Sequence, residues 1–205
     1  MSSILSSSVR VAPQQERSAR RLAGFLQAAA ELFAGVGYEA ATMQAIADRS
    51  SSSIGALYNY FPDKESVAAT LRLQYGKELQ ARLESLAAGS PKLSAPQFAE
   101  SFIDCIANFA RERPAWLNLQ TVAIPANRSR TAHKELRSSI ANAFRLKNPS
   151  LSSERALLAA NVTIQIVKGM KTLFLESEIK SRALIEAEFR EVLTLYLQGV
   201  LSRPR

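Results

Sequence analysis

Cys105 and His133 are the single cysteine and the single histidine of the chain, and they bound its chemistry at once. One thiol and one imidazole cannot build a disulfide framework, a multi-cysteine metal site or a paired-histidine zinc motif. A thiol–imidazole nucleophilic pair would have to be these two residues. Cys105 falls on an apolar helical stripe between Phe102 and Phe109, the place of a core thiol or of one lining a pocket. His133 stands among basic residues with no Ser, Cys or carboxylate arranged around it, as a surface histidine does. The chain has neither a G-x-x-x-x-G-K phosphate loop nor a nucleophile elbow. No catalytic residue, metal or cofactor is expected, and a helical enzyme or carrier is the remote reading.

The polar residues with a useful spacing lie between Thr42 and Lys64. Thr42 and Ser53 each precede a short helical segment as an N-cap can. The second segment carries Ser53, Ile54, Gly55, Ala56, Tyr58 and Asn59, where a core helix would carry a continuous Leu/Ile stripe. Small residues let a helix approach the floor of the major groove, and polar tips reach phosphates and base edges. Two short helices joined by a tight turn, the second of this composition, form the helix-turn-helix pattern. Tyr58 and Tyr60 either touch DNA or pack the core beneath it, and Leu57 and Phe61 read as core.

The surrounding elements are all helical. Residues 1–16 are Ser-rich and carry Pro13, so a flexible arm is expected there. From Arg17 a helix face of Leu22, Phe25, Leu26, Ala29, Leu32 and Phe33 runs to Gly35 and Gly37. After the two short helices, Pro62 and Asp63 open a long helix over about 64–88 with the stripe Val67, Leu71, Tyr75, Leu79, Leu83 and Leu86. Gly89-Ser90-Pro91 closes it. Helices follow around Phe98–Phe109, Trp116–Leu119 and 129–146, then two at about 152–175 and 181–201. Those last two are apolar over more than half their circumference, whereas a monomer's surface helix needs only a stripe of about 100°. A second buried face is expected on them. The prediction is an all-α chain of about nine helices: a three-helix head over 17–63 and a helical-bundle body over 64–205.

The segment from Arg21 to Val67 resembles the tetracycline-repressor (TetR) family. The resemblance rests on Leu32-Phe33, Gly37-Tyr38, Thr42, Ile46-Ala47, the run G-A-L-Y-N-Y-F at 55–61 and Lys64. It implies a DNA-binding transcriptional regulator of the repressor type, homodimeric, that binds a palindromic operator and is released by a largely apolar small molecule. A regulator working through a protein partner, or as an activator, is the nearer alternative. Carried over, the pattern implies phosphate contact at Thr42 and Lys64, base-edge reach at Gln44, and base reading at Ser53, Ile54, Gly55 and Ala56. Tyr58 and Tyr60 become phosphate or thymine-methyl contacts, and Asn59 can pair bidentately with an adenine. Arg17, Arg20 and Arg21 either touch the DNA backbone or a minor groove, or are a solvated helix start.

The resemblance also implies an effector pocket among the middle helices, with Phe98, Phe102, Cys105, Phe109, Trp116, Leu119, Phe144 and Gln165 as its lining or as plain core. It implies a two-fold dimer interface on the last two helices, at Ile164, Val167, Met170, Phe174, Phe189, Val192, Tyr196 and Val200. One departure is in the turn, where Ser50-Ser51-Ser52-Ser53 replaces the family's usual Ala-Gly-Val-Ser. A serine at the glycine position should cost ~1 kcal/mol if the backbone there is left-handed.

Composition fits that frame. The 205 residues are 47% hydrophobic and 21% charged, which suits a folded chain rather than a disordered one. No apolar run approaches the ~20 residues of a membrane helix, and MSSILSSSVRVAP lacks the regions of a signal peptide. A cytoplasmic protein is expected. The formal charge of +8 is unevenly placed. Residues 1–75 hold seven Lys/Arg and six Asp/Glu, and most of the excess lies in the body. Arg128, Arg130, Lys134, Arg137, Arg145 and Lys147 face only Glu135 there. This basic stretch is a solvated face, an anion-attracting rim, or a source of non-specific attraction to DNA.

Overall fold

Helices account for the regular structure throughout. The computed structural model describes residues 11–89, 92–120, 122–123, 126–176 and 182–202. Ten helices follow in order among them: α1 Val11–Gly35, α2 Gly37–Ala40, α3 Met43–Arg49, α4 Ile54–Tyr58, α5 Lys64–Gly89, α6 Ala95–Glu112, α7 Pro114–Gln120, α8 Ala126–Lys147, α9 Ser153–Glu176 and α10 Arg182–Leu201. The all-α reading holds, and the one extra helix is the four-residue α2. Of the arm expected over residues 1–16, residues 11–16 belong instead to α1, and residues 1–10 lie outside the described residues. Pro13 is no obstacle there, since the first turn's N–H groups have no helical partner to lose.

The chain divides into two compact units, 1–71 and 72–205, with the boundary inside α5 rather than before it. In the first unit α1 packs on α2 and α3, and α3 on α4. Phe25, Ala29 and Phe33 from α1, Ile46 and Ala47 from α3, Leu57, and Val67 and Ala68 from α5 are fully buried. Their spacing explains the selection: each helix buries the i, i+3/i+4 stripe read from the sequence.

In the second unit α8 packs on α9, α10 on both α6 and α9, and α7 on α6 and α9. A run of aromatic rings threads the core. Phe98 stacks beside Phe102, Phe102 meets Phe144 at 5.4 Å between centroids, and Phe109 meets Trp116 edge-on at 5.3 Å. Local chemistry sets the helix starts. Ser94 and Gln97 form a reciprocal capping box on α6, and Pro114 opens α7 at the position where its missing N–H is harmless. No helix among the described residues is long and apolar enough to cross a membrane.

Candidate nucleic-acid interface

Two N-caps hold the pair of short helices. The Thr42 side chain accepts from the Ala45 N–H at 3.1 Å, and the Ser53 side chain from the Ala56 N–H at 3.2 Å. Both caps fix where α3 and α4 begin, as their sequence positions suggested. Between them the Ser51 N–H donates to the Asp48 carbonyl at 3.0 Å and the Ser52 N–H to the Ala47 carbonyl at 2.9 Å. This paired pattern is a Schellman stop, with Ser51 as its left-handed residue. Ser51 has φ of 53°, the sole positive φ at a non-glycine position among the described residues. The serine turn therefore keeps the geometry that a glycine would make easier. Ser52 is half-buried and donates its hydroxyl to the Ser50 carbonyl at 3.2 Å.

Beyond the turn, α4 turns Leu57 into the core and leaves a small, polar face outside. Gly55 and Asn59 are exposed, Ile54 and Ala56 are partly so, and the Tyr58 side chain stands 51% exposed. An exposed tyrosine of that size is free to meet another surface. Tyr60 differs. Its ring meets Phe25 edge-on at 5.5 Å and its hydroxyl lies 3.0 Å from the Ser18 Oγ, so much of it serves the packing of α1. Gln44 is exposed on α3 with its amide donating to Asp48 at 2.7 Å. Arg17, Arg20 and Arg21 are exposed along α1, and Arg20 is drawn to Glu16 one turn earlier.

Lys64, expected to grip a phosphate, is engaged within the head. Its ammonium donates to the carbonyls of Tyr38 at 2.8 Å, Glu39 at 3.1 Å and Ala41 at 2.8 Å. An ammonium has three donors, and all three are engaged. They satisfy carbonyls that the end of α2 leaves without helical partners, where a cation is also favoured by the helix dipole. Lys64 is a C-terminal cap of α2, built from the first residue of α5.

The body holds a small apolar cavity. Leu79 of α5, Phe102 and Ile106 of α6, Trp116, Leu117 and Gln120 of α7, Leu136 and Ile140 of α8, and Thr163, Ile164, Val167 and Lys168 of α9 line it. Its volume is about 30 Å³, room for about two waters. Of the expected lining, Phe102 and Trp116 are there. Phe98, Phe109, Leu119 and Phe144 are fully buried core outside it. Gln165 is exposed, one residue round the helix from the lining position Ile164. Cys105 is half-buried, and burial pushes its thiol up, away from the reactive thiolate.

Sequence reasoning missed Gln120, Thr163 and Lys168. Lys168 carried a partial signal, being a cation one turn beyond Ile164 and next to Val167 on the apolar stretch of α9. The Thr163 hydroxyl is satisfied within α9, donating to the Ala159 carbonyl at 2.9 Å.

Comparison with known proteins places this architecture. The family profile "Bacterial regulatory proteins, tetR family" matches residues 25–71, and "Tetracyclin repressor-like, C-terminal domain" matches residues 94–197. The chain belongs to the tetR family. Members of the family are DNA-binding transcriptional regulators, typically repressors, and not enzymes. Solved structures share the fold of this tetR-family chain at low identity. A TetR-family transcriptional regulator from Mesorhizobium loti is 21% identical, with 89% of this chain and 98% of that one covered and a TM-score of 0.64. A tetR-family regulator from Shewanella sp. PV-4 is 17% identical, with coverage of 90% and 99% and a TM-score of 0.65. The fatty acid degradation regulator FadR from Bacillus halodurans is 16% identical, with coverage of 90% and 97% and a TM-score of 0.65. No curated protein sequence matches the chain significantly.

The expected dimer residues fall in several environments of this tetR-family body. Ile164 and Val167 line the cavity, and Val200 is buried within the chain. Phe189 is half-buried with its ring 3.7 Å from the position a side chain on Gly169 would take. Met170 and Tyr196 are half-buried, Val192 is 50% exposed, and the side chain of Phe174 lies outside the described residues. Further large apolar side chains, beyond the expected interface residues, are exposed on the same two helices. They are Leu157, Leu158 and Leu173 on α9, and Leu184 and Leu195 on α10.

Proposed function

We propose that this chain is a homodimeric, ligand-responsive repressor that reads a palindromic operator with α3 and α4. The observation that carries the reading is the outer face of α4. Ser53, Gly55, Tyr58 and Asn59 stand in solvent on a helix whose inner face, through Leu57, is core. A face of that kind is suited to the major groove, where Asn59 would discriminate a base and Tyr58 would press on the backbone or a thymine methyl. Exposed leucines on α9 and α10 support dimerisation through those helices, since apolar area of this extent is seldom left in water.

The proposed switch is a population shift. An effector entering the cavity must enlarge it, because two waters' worth of space does not hold a drug-sized molecule. Leu79 belongs to that wall and to α5, the helix whose first turns belong to the head. Displacing α5 would change the separation of two heads in a dimer, and half-sites at fixed spacing would lose simultaneous contact. Titrating a randomised operator pool by gel shift tests the reading. Tyr58→Phe should weaken binding evenly across sequences, while Asn59→Ala should relax preference at one base pair. Identical behaviour of the two variants would sink it. With few cations on the head, the salt dependence should be shallow, roughly four to six ions released per dimer.

A further inference from the structure

Lys168 is the charged residue of the cavity lining. Arg72 of α5 and Arg137 of α8 both lie close enough to act on its ammonium. Arg72 is only 7% exposed, and its guanidinium donates to the Val122 carbonyl at 3.2 Å. Arg137 is exposed and follows Leu136, itself a lining residue. Among the described residues no carboxylate forms an ion pair with Lys168 or Arg137. Three carboxylates of the body hold other arginines instead: Glu112 holds Arg82, Glu78 holds Arg113 and Asp104 holds Arg190. Burial, then Arg72 and Arg137, push the Lys168 ammonium down from the usual lysine range. Lys168 is thus a cation beside other cations at a desolvated wall, and the partner that relieves it is an anion.

We infer that the cavity's ligand is an organic anion. Its apolar body sits among Phe102, Trp116, Ile140 and Val167, and its anionic head, a carboxylate in the simplest case, pairs with Lys168. Gln120, half-buried in the same lining, supplies a neutral donor beside that head. The inference rests on the reading of this cavity as the effector site. It also gives one residue of the basic stretch on α8 a purpose, since Arg137 acts on the cavity's lysine.

Trp116 lines the cavity and is the chain's one tryptophan, so its fluorescence reports occupancy directly. The whole 205-residue chain would be titrated with decanoate and, separately, with decanol. The two share a flexible apolar body and differ in the charge of the head. Decanoate should half-saturate the Trp116 signal at about tenfold lower concentration than decanol, the size of one charge-assisted hydrogen bond. Lys168→Gln should bring that ratio close to one by weakening decanoate alone. Arg137→Gln, at an exposed position, should lower the ratio by a smaller factor. It carries the test if Lys168→Gln loses its helical circular dichroism. Equal binding of decanoate and decanol, or a ratio unmoved by either variant, overturns the anion proposal and leaves the effector site standing. Silence of Trp116 towards both probes removes the effector-site reading, and the proposal with it.

Discussion

The ammonium of Lys64 reaches back 26 residues to the Tyr38 carbonyl at 2.8 Å and lies 4.4 Å from the centroid of the same tyrosine's ring. With the Glu39 and Ala41 carbonyls it completes a tripod over the end of α2. Lys64→Met should therefore destabilise the head by about 1–3 kcal/mol, the cost of orphaning carbonyls that a charged donor had satisfied. Lys64→Arg should not restore it, because a planar guanidinium cannot converge three donors on one point. Denaturant titration measures both. The salt slope of operator binding should be the same in wild type and variant, whereas a lost phosphate contact would reduce it by about one ion.

Ser51 holds a left-handed φ of 53° at the stop of α3. Replacing it with glycine should stabilise the head by up to ~1 kcal/mol, because a Cβ is unfavourable in that conformation. For a chain of this length that is roughly 2–4 °C in melting temperature. An unchanged or lower melting temperature would mean that the serine hydroxyls of the turn compensate.

Tyr58 and Tyr60 sit two residues apart and should separate cleanly. Tyr58→Ala should leave the denaturant midpoint nearly unmoved while weakening operator binding tenfold or so, since an exposed aromatic contributes little to the fold. Tyr60→Ala should lower the midpoint, because it empties the space against Phe25. Midpoints and gel-shift affinities measured on the same preparations of wild type and the two variants decide the matter.

Tyr38 should mark the alkaline limit of the head. Burial, and then the carboxylates of Glu65, Glu39 and Asp63, push its phenol up to about 12. The fold thus favours the neutral phenol. That stabilisation is complete below the ordinary tyrosine value near 10 and is lost as pH rises through about 12. Absorbance at the tyrosinate band should show one late-titrating phenol that Tyr38→Phe removes. The same variant should flatten the fall of stability over pH 10–12.

The exposed leucines of α9 and α10 predict the assembly state. Leu195→Glu, at a side chain 63% exposed in the isolated chain, should not harm the fold but should place a charge inside a dimer interface. Sedimentation velocity should show monomers where wild type is dimeric. A dimer that survives both Leu195→Glu and Leu184→Glu would exclude α10 as the interface.

Much of the head was legible from local pattern. Thr42, Ser53 and Asp63 each start a helix because a short oxygen-bearing side chain can take an N–H that the first turn leaves unpaired, and this depends on neighbours three residues away. The apolar stripes of α1 and α5 likewise follow from a 3.6-residue period alone. The cavity was less legible. An aromatic at helical spacing satisfies the sequence rule equally well as core or as lining. Only the packing of α6 against its neighbours left Phe102 and Trp116 on the cavity and buried Phe98, Phe109 and Phe144 outside it.

By itself, the sequence determined the all-α class, the helix-turn-helix and the face of α4, because periodicity, caps and breakers act within a few residues. Tertiary structure alone decided what Lys64 and Lys168 meet. A lysine's role depends on which acceptors and charges its long side chain meets. For Lys64 those were three carbonyls some 25 residues upstream, and for Lys168 they were arginines from two other helices. Neither meeting is written in local spacing.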